Sequence, residues 1–432
     1  MKVLLISHNP ITTYQSMGKT FLSLFSEFDR DELCQLYIYP TLPDVDVCHS
    51  YYRITDRNVF ESYWHFGKVN GRKITIKDID TTKHDFYENE KEENFITVKK
   101  TPLKTIFRDV MWKLSRWYTK QLKDWIEEER PTCIFLAPGE AKFIYDIALK
   151  ISEDYKLPII TYICDEFYFI DKTDGPIDKL RLRVLQKKIR QLMKKNSCII
   201  AISDEINRQY SKEFKVRAET IMTGASIPVN GERKTETQFK GITYLGNLAY
   251  DRISSLIEIG KVLDGINNSF GIDSKVFLYT RSLSKDVENR IKDINSIEYC
   301  GYVTGDEFIR TLRKADALLH IESFKDIYAE KVKNSISTKI ADSLASGNPL
   351  IAYAPGHIAS MKYLVAESAA LTITNPVDLR EKLYEFVTSQ EVRIRIAQNG
   401  LKAARHFHVA SKNSARLKTI CGEYSSEEHK NI

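Results

Sequence analysis

Short apolar runs punctuate this chain, and between them apolar residues recur every three or four positions. The short runs suit strands buried on both faces of a parallel sheet, and the spaced pattern suits helices packed on that sheet. In the first half the strand-like runs are 3–7, 35–39, 132–137, 158–163 and 198–202. Helical spacing covers 18–27, 103–126, 142–155 and 177–195. In the second of these, Ile106, Val110, Leu114, Tyr118, Leu122 and Trp125 mark one face.

Residues 44–100 break the rhythm. They are polar and Tyr-rich, with an acidic cluster at 88–93 and a plausible hairpin turn at Val69-Asn70-Gly71-Arg72. The stretch reads as an insertion in an N-terminal domain of residues 1–228. Residues 229–240 are polar with Gly231 and read as a linker. The strand–helix rhythm then restarts, with strands at 242–245, 275–279, 297–300, 317–321 and 349–353, and the chain is helical from about Val377. The expected architecture is α/β: a second domain over 241–408 and a last helix at 409–432. Ligands of such sheets bind at the carboxyl ends of the strands.

Composition narrows the class. The 432 residues are 43% hydrophobic and 28% charged, ordinary for a globular protein with real cores. A net charge of +6 is too mild to imply a nucleic-acid partner without a concentrated patch. Four apolar residues after Lys2 are too few for a secretory segment, and no run is long enough to span a membrane. Seven scattered Cys without a C-x-x-C pair read as reduced core thiols, so the expected compartment is the cytoplasm.

Three stretches carry candidate chemistry. In 335–349, Ser337 is a good N-cap and Gly347 a good residue to end the helix that begins at Thr338. Such a helix start, with the hydroxyls of Ser335, Ser337 and Thr338 and the Lys339 ammonium, suits a phosphate; it equally suits a capped core helix. Asp342, one turn on, is placed to accept from ribose hydroxyls. In 243–252 a strand ends at Gly246-Asn247 and a helix follows, bringing Arg252 to the sheet edge either as a diphosphate partner or as an exposed cation. In 162–168, Asp165 and Glu166 follow a strand, placed to bind or deprotonate an acceptor hydroxyl or to serve the loop. His8 ends the first strand and Gly18 opens the first helix on the same side.

The order and wording of these segments resemble the GT-B glycosyltransferases, most nearly family 4, the retaining transferases that use sugar nucleotides. The likeness runs from Met1 to about His408 and is weakest over 44–100. It rests on CIIAIS at 198–203, IMTGASIP at 221–228, YLGN at 244–247, CGYV at 300–303, ADALLH at 315–320 and ASGNPLIA at 345–352. The resemblance implies two Rossmann-like domains across a cleft, with the last helix packing back on the first domain. A nucleoside diphosphate-sugar would sit in the second domain, its phosphates at the Thr338 helix start with Arg252 and Lys339. Gly246, Asn247, Ser335 and Ser337 would line the donor, the base would lie near Tyr302, and the ribose at Asp342. The family's paired glutamates fall on Asn334 and Asp342, its Arg and Lys on Asn247 and Arg252, and a first-domain His on Cys164. Asn334 keeps a hydrogen bond to the donor sugar but no charge. The acceptor, a glycan or a lipid-linked sugar, would meet His8, Gly18, Asp165 and Glu166, with Asp165 a candidate base. The implied reaction is retaining hexosyl transfer in bacterial surface-polysaccharide synthesis, without metal or other cofactor. A silent binding or scaffold subunit of the same fold is the alternative from another class.

Several signals are rejected. Met17-Gly18-Lys19-Thr20 mimics a P-loop end, but Thr13 stands where its first Gly belongs, and no G-x-G-x-x-G occurs. Asp44-x-Asp46 and Asp78-x-Asp80 are expected by chance, and His406-x-His408 sits at i, i+2 in a helix. The basic stretch 179–195 has an apolar stripe of Leu182, Leu185, Ile189 and Leu192. It reads as a surface helix with solvated cations or as a peripheral contact with anionic membrane.

Overall fold

The computed structural model describes residues 1–13, 15–64, 71–75, 78–79, 102–170, 175–229 and 239–426. The chain groups into two compact units, Met1–Ile221 with Ser411–Ile432, and Met222–Ala410.

The first unit holds eight strands: β1 (Val3–Ser7), β2 (Leu33–Tyr37), β3 (Ser50–Arg53), β4 (Arg72–Ile74), β5 (Cys133–Ala137), β6 (Ile159–Ile163), β7 (Asn196–Ala201) and β8 (Ala218–Thr220). Their order is β4-β3-β2-β1-β5-β6-β7-β8, parallel except for β3 against β4. Side chains alternate across a strand. Along β1, Leu4 and Ile6 therefore enter one core with Trp112, Phe143 and Leu185, while Val3 and Leu5 enter the other with Phe21 and Phe135.

Two expectations change here. The stretch 44–100 is not wholly an insertion, because β3 pairs in parallel with β2 and buries Tyr51 and Tyr52. Four residues bounded by polar ones left little pattern to read. Residues 65–70, 76–77 and 80–101 lie outside the described residues, and with them the acidic cluster and half of the expected turn. The helix expected over 103–126 is two helices, Pro102–Leu114 and Lys120–Glu129. Thr119 restarts the chain as an N-cap, its hydroxyl accepting from Leu122 N at 3.3 Å. The first of these helices buries Met111 and Trp112, so Val110 and Leu114 face solvent instead of the core.

The helix Ala410–Ser425 completes the first unit. Leu417, Ile420 and Cys421 join the core that holds Cys133, Ser414 Oγ accepts from Glu27 N at 2.9 Å, and Lys418 pairs with Glu32 at 2.6 Å.

The second unit is a six-stranded, all-parallel sheet of β9 (Gly241–Leu245), β10 (Lys275–Tyr279), β11 (Ile297–Gly301), β12 (Ala317–Ile321), β13 (Leu350–Tyr353) and β14 (Leu371–Ile373). The order is β11-β10-β9-β12-β13-β14. Residues 222–228, read from sequence as the end of the first domain, group with this unit. Ala225 N donates to His408 O at 2.9 Å, and His408 Nδ1 to Thr223 O at 2.8 Å. Tyr363 donates to the other ring nitrogen at 2.9 Å, and burial holds His408 neutral, with its pKa down at about 4. Of the expected linker, 230–238 lie outside the described residues.

One buried acid binds the amino edge of the first sheet together. Glu129 accepts from Ser50 Oγ at 2.5 Å, Lys2 Nζ at 2.9 Å and His49 Nδ1 at 3.0 Å. Burial alone would raise its pKa, but these donors outweigh burial and hold it below the ordinary 4.5. Its contribution to stability is thus present above pH 4.5 and lost as pH falls through the lowered value. All four tryptophans (64, 112, 117 and 125) lie in the first unit, so their fluorescence reads its unfolding. Glu129→Ala should destabilise that unit by about 3 kcal/mol in urea titrations.

Candidate functional site

In the second sheet the strand order reverses between β9 and β12, and loops leaving such neighbours part to leave a crevice at their carboxyl ends. Both loops carry charge into it. After β9 the chain runs through 246–251 into the helix Arg252–Phe270, and after β12 it places Glu322.

Arg252 and Glu322 form a two-pronged pair, Nε to Oε2 and Nη2 to Oε1, each at 2.8 Å. The third nitrogen, Nη1, donates to Asn247 Oδ1 at 2.8 Å. Tyr244 at the end of β9 fixes that loop by donating to Asn247 O at 2.6 Å. Ser255 holds the other side, donating to Glu322 O at 2.8 Å. Burial would lower the Arg252 pKa, but the Glu322 pair outweighs it and raises it above its usual value. Side-chain exposures of 13% and 5% make this an inward ion pair whose position is fixed by five hydrogen bonds rather than by chance surface attraction.

Lys339 completes the cluster. The helix Thr338–Ala345 starts where the sequence places it, with Ser337 as N-cap and Gly347 in the left-handed region at φ +78°. The Ser337 hydroxyl makes no capping bond. Lys339 reaches over the Tyr244 ring, its ammonium 5.5 Å from the ring centre. Gly246 leaves room for it: a Cβ there would lie 2.0 Å from Lys339 Nζ and would push that ammonium aside. Desolvation first, then the Arg252 charge, lower the Lys339 pKa to about 8, with Glu322 acting the other way. Lys339 makes no ion pair among the described residues. His320, on β12 beside it, is buried against Ser360 Oγ at 3.3 Å and held neutral, its pKa down at about 3 through burial and the two cations.

The other expected donor residues take varied positions. Tyr302, after Gly301 at φ +86°, is 52% exposed, with the Arg281 guanidinium 5.4 Å from its ring centre. Asn334 is buried, and Ser335 lies between it and the helix start. Asp342 Oδ1 accepts from Ser226 N at 2.6 Å and Ser226 Oγ at 2.8 Å, so that oxygen already anchors the 222–228 segment. Asn247 acts on Arg252 rather than standing in for a cation.

In the first unit His8 follows β1, edge-on to Tyr39 at 5.7 Å. Gln35 fixes the loop beyond it, accepting from Ile11 N at 3.2 Å and donating to Asn9 O at 3.1 Å. Gly18 has a structural reason to be glycine, since a Cβ would lie 2.4 Å from Thr12 O. Asp165 is exposed after β6, on the same sheet edge as His8 with β5 between their strands. Glu166, expected at the acceptor, also serves its own loop. Its Oε1 accepts from Tyr168 N at 2.6 Å, Phe169 N at 2.9 Å and Tyr210 OH at 3.1 Å, which closes the loop on itself. Asp44 is bound to Thr13 N at 2.9 Å and Asp46 to Arg30 at 2.8 Å, as loop residues are.

Sequence reading missed Glu322, His320 and Ser360. The usable signal for Glu322 was a lone acid directly after a strand that is apolar but for His320. A depression of about 690 Å³ lined by Phe239, Lys240, Lys275 and Glu298 lies at the amino ends of β9 and β10, the opposite edge from this cluster.

A family model described as glycosyl transferase-like matches residues 279–421. No curated protein matches the chain. Among solved structures, HepE of Anabaena in complex with UDP and glucose aligns with a TM-score of 0.63 at 11% identity, over 98% of this chain and 100% of that one. The UDP-forming α,α-trehalose-phosphate synthase of Burkholderia xenovorans, in complex with glucose-6-phosphate, aligns at 0.62 and 10% over 98% and 100%. The sucrose-phosphate synthase of Thermosynechococcus elongatus aligns at 0.61 and 9% over 98% of each. At such identities the likeness speaks for the fold: this chain has the GT-B fold of these glycosyltransferases.

A desolvated lysine costs the free protein stability. Its folded pKa of about 8 lies below the ordinary 10.5, so the unfolded chain binds the extra proton, and the cost, full below pH 8, is relieved as pH rises from 8 to 10.5. Lys339→Met should therefore stabilise β9 and β12 by about 2 kcal/mol at neutral pH, discounted for the solvent the residue still meets. Amide hydrogen exchange should show that advantage shrinking above pH 9, roughly midway through the window.

Proposed function

We propose that the protein is a glycosyltransferase that takes a sugar from a nucleoside diphosphate-sugar and passes it to a glycan or lipid-linked acceptor. One observation carries the reading: Arg252 and Lys339 converge at the crevice between β9 and β12, beside the start of the Thr338–Ala345 helix. Breaking the bond from the anomeric carbon to the diphosphate leaves negative charge on the diphosphate oxygens. Fixed cations and helix N–H groups aimed there lower that barrier. The likeness to HepE, solved with UDP and glucose, supports a uridine diphosphate donor.

Within this reading the two cations have separate duties. Arg252 is held by Glu322 and Asn247 in one orientation, so it needs no reorganisation when charge develops. Lys339 supplies the net positive charge, because Glu322 already balances Arg252. Tyr302 offers its exposed ring to the base. Asp342 keeps one anchored oxygen and a more limited role at the ribose. His8 and Asp165 face the acceptor in the first unit, with Asp165 the candidate base. The family resemblance implies retention of configuration at the anomeric carbon without a bound metal, and a role in bacterial surface-polysaccharide synthesis. The product's anomeric configuration by NMR decides the first of these.

The competing reading is a binding subunit without turnover, favoured by the Arg252–Glu322 pairing and the uncharged Asn247 and Asn334. Donor binding without turnover in any acceptor mixture would select it.

Thermal shift with uridine diphosphate tests donor binding directly, since a ligand at 100 times its Kd adds about 2.7 kcal/mol of stability. Lys339→Ala should weaken that binding about tenfold or more and slow sugar transfer by about 10²–10³. Wild-type binding should weaken as pH rises through 8, the Lys339 pKa, because the ammonium deprotonates. A flat profile from pH 6 to pH 9.5, about 1.5–2 pH units either side of that pKa, would remove Lys339 from the donor site.

A further inference from the structure

We propose that the outward faces of the helices Pro102–Leu114 and Pro176–Met193 form one docking surface for an anionic phospholipid bilayer. This stands independently of the donor reading.

The first helix presents four large apolar residues to solvent on a single line. Leu103 is 67% exposed, Phe107 55%, Val110 47% and Leu114 68%. Their spacing of four, three and four residues keeps them within a narrow stripe along three turns. The stripe lies opposite Trp112, which is buried and stacks on Phe143 at 4.2 Å, while Met111 is buried at its flank. A soluble surface tolerates single exposed apolar residues; a continuous line of four demands a partner.

The second helix packs beside the first on the same face of the first sheet, and both bury their inner sides in one core. Leu182, Leu185, Ile189 and Leu192 are that helix's buried stripe. On its outer side Ile177 is 46% exposed, Leu180 59% and Val184 40%. Because both inner sides face the same sheet, both outer sides look away from it in the same direction.

Charge selects the occupant. Lys113, Arg116, Lys179, Arg183, Lys187 and Lys194 are exposed and make no ion pair among the described residues. The cations that do pair point elsewhere: Arg181 to Asp178 and Glu140, Lys188 to Asp146. The acids of these two helices, Asp109 and Asp178, are each taken up by a cation, Lys142 and Arg181. An apolar stripe with lysine and arginine that are unpaired among the described residues matches a bilayer that offers acyl chains beneath anionic headgroups. A second copy of this face would set the same cations against one another.

The test is co-sedimentation of the full chain with vesicles of phosphatidylcholine alone and of phosphatidylcholine with phosphatidylglycerol, at about 50 mM and about 500 mM salt. The expected result is binding to the anionic vesicles only, at least about tenfold weaker at the higher salt. Leu103→Ser with Phe107→Ser should weaken binding about tenfold or more at either salt, because it removes the apolar anchor. Lys179→Gln, Arg183→Gln and Lys187→Gln together should remove the salt dependence. All these positions are exposed, so melting temperatures should stay close to wild type. No binding to anionic vesicles at low salt overturns the proposal. So does wild-type binding by the serine variant, or vesicle binding that an anionic polymer such as heparin matches with no sensitivity to the serine changes. A dimer dissociated by the serine changes, in a chain that ignores vesicles, assigns the face to a second copy instead.

Discussion

The second unit depends on a buried pair of opposite charges. Removing Arg252 or Glu322 from water is costly, and the attraction between them repays this only in good geometry with every remaining donor satisfied. The chain meets that condition with two 2.8 Å contacts, an acceptor from Asn247 and a clamp from Ser255. The pair joins the loop after β9 to the loop after β12, the two strands between which the sheet changes direction. An uncompensated cation, Lys339, can then be held close by, because its nearest positive neighbour is already balanced. Local instability and readiness for an anion are the same property.

Much of the fold was legible because strands buried on both faces must be apolar throughout, and helices between them must be apolar on one side. That reasoning found β1, β5, β6 and β7 and most of the second sheet. It failed where strands are short. Ser50–Arg53 is a short strand near the sheet edge, and Arg72–Ile74 and Leu371–Ile373 have three residues each, too few to show a period. It also failed at 103–126, where helical spacing continued through a break made by Thr119 and assigned Val110 and Leu114 to the core. Periodicity reports that a face is apolar; it does not report what covers that face.

The site was legible to the extent that local grammar reveals it. Ser337 and Gly347 mark the ends of one helix, and Lys339 follows from its start. Glu322 was not legible, since its meaning comes from an arginine 70 positions earlier that only the sheet order brings near. Glu166 stands in the right place for chemistry, and its Oε1 also accepts from two backbone amides and a tyrosine, which the sequence does not reveal. Chain position predicts which edge a residue occupies; hydrogen bonding decides whether it is available there.

The helix Ala410–Ser425 fills the first unit's core after the whole second unit has been threaded. During synthesis at some 5–20 residues per second, β5 and its neighbours must wait for Leu417, Ile420 and Cys421 to emerge. The amino-terminal half therefore cannot finish first, as vectorial folding would otherwise allow. Any ribosome that stalls within the last helix releases a chain with a completed second sheet and an open hydrophobic trough in the first, a natural substrate for chaperones and proteases.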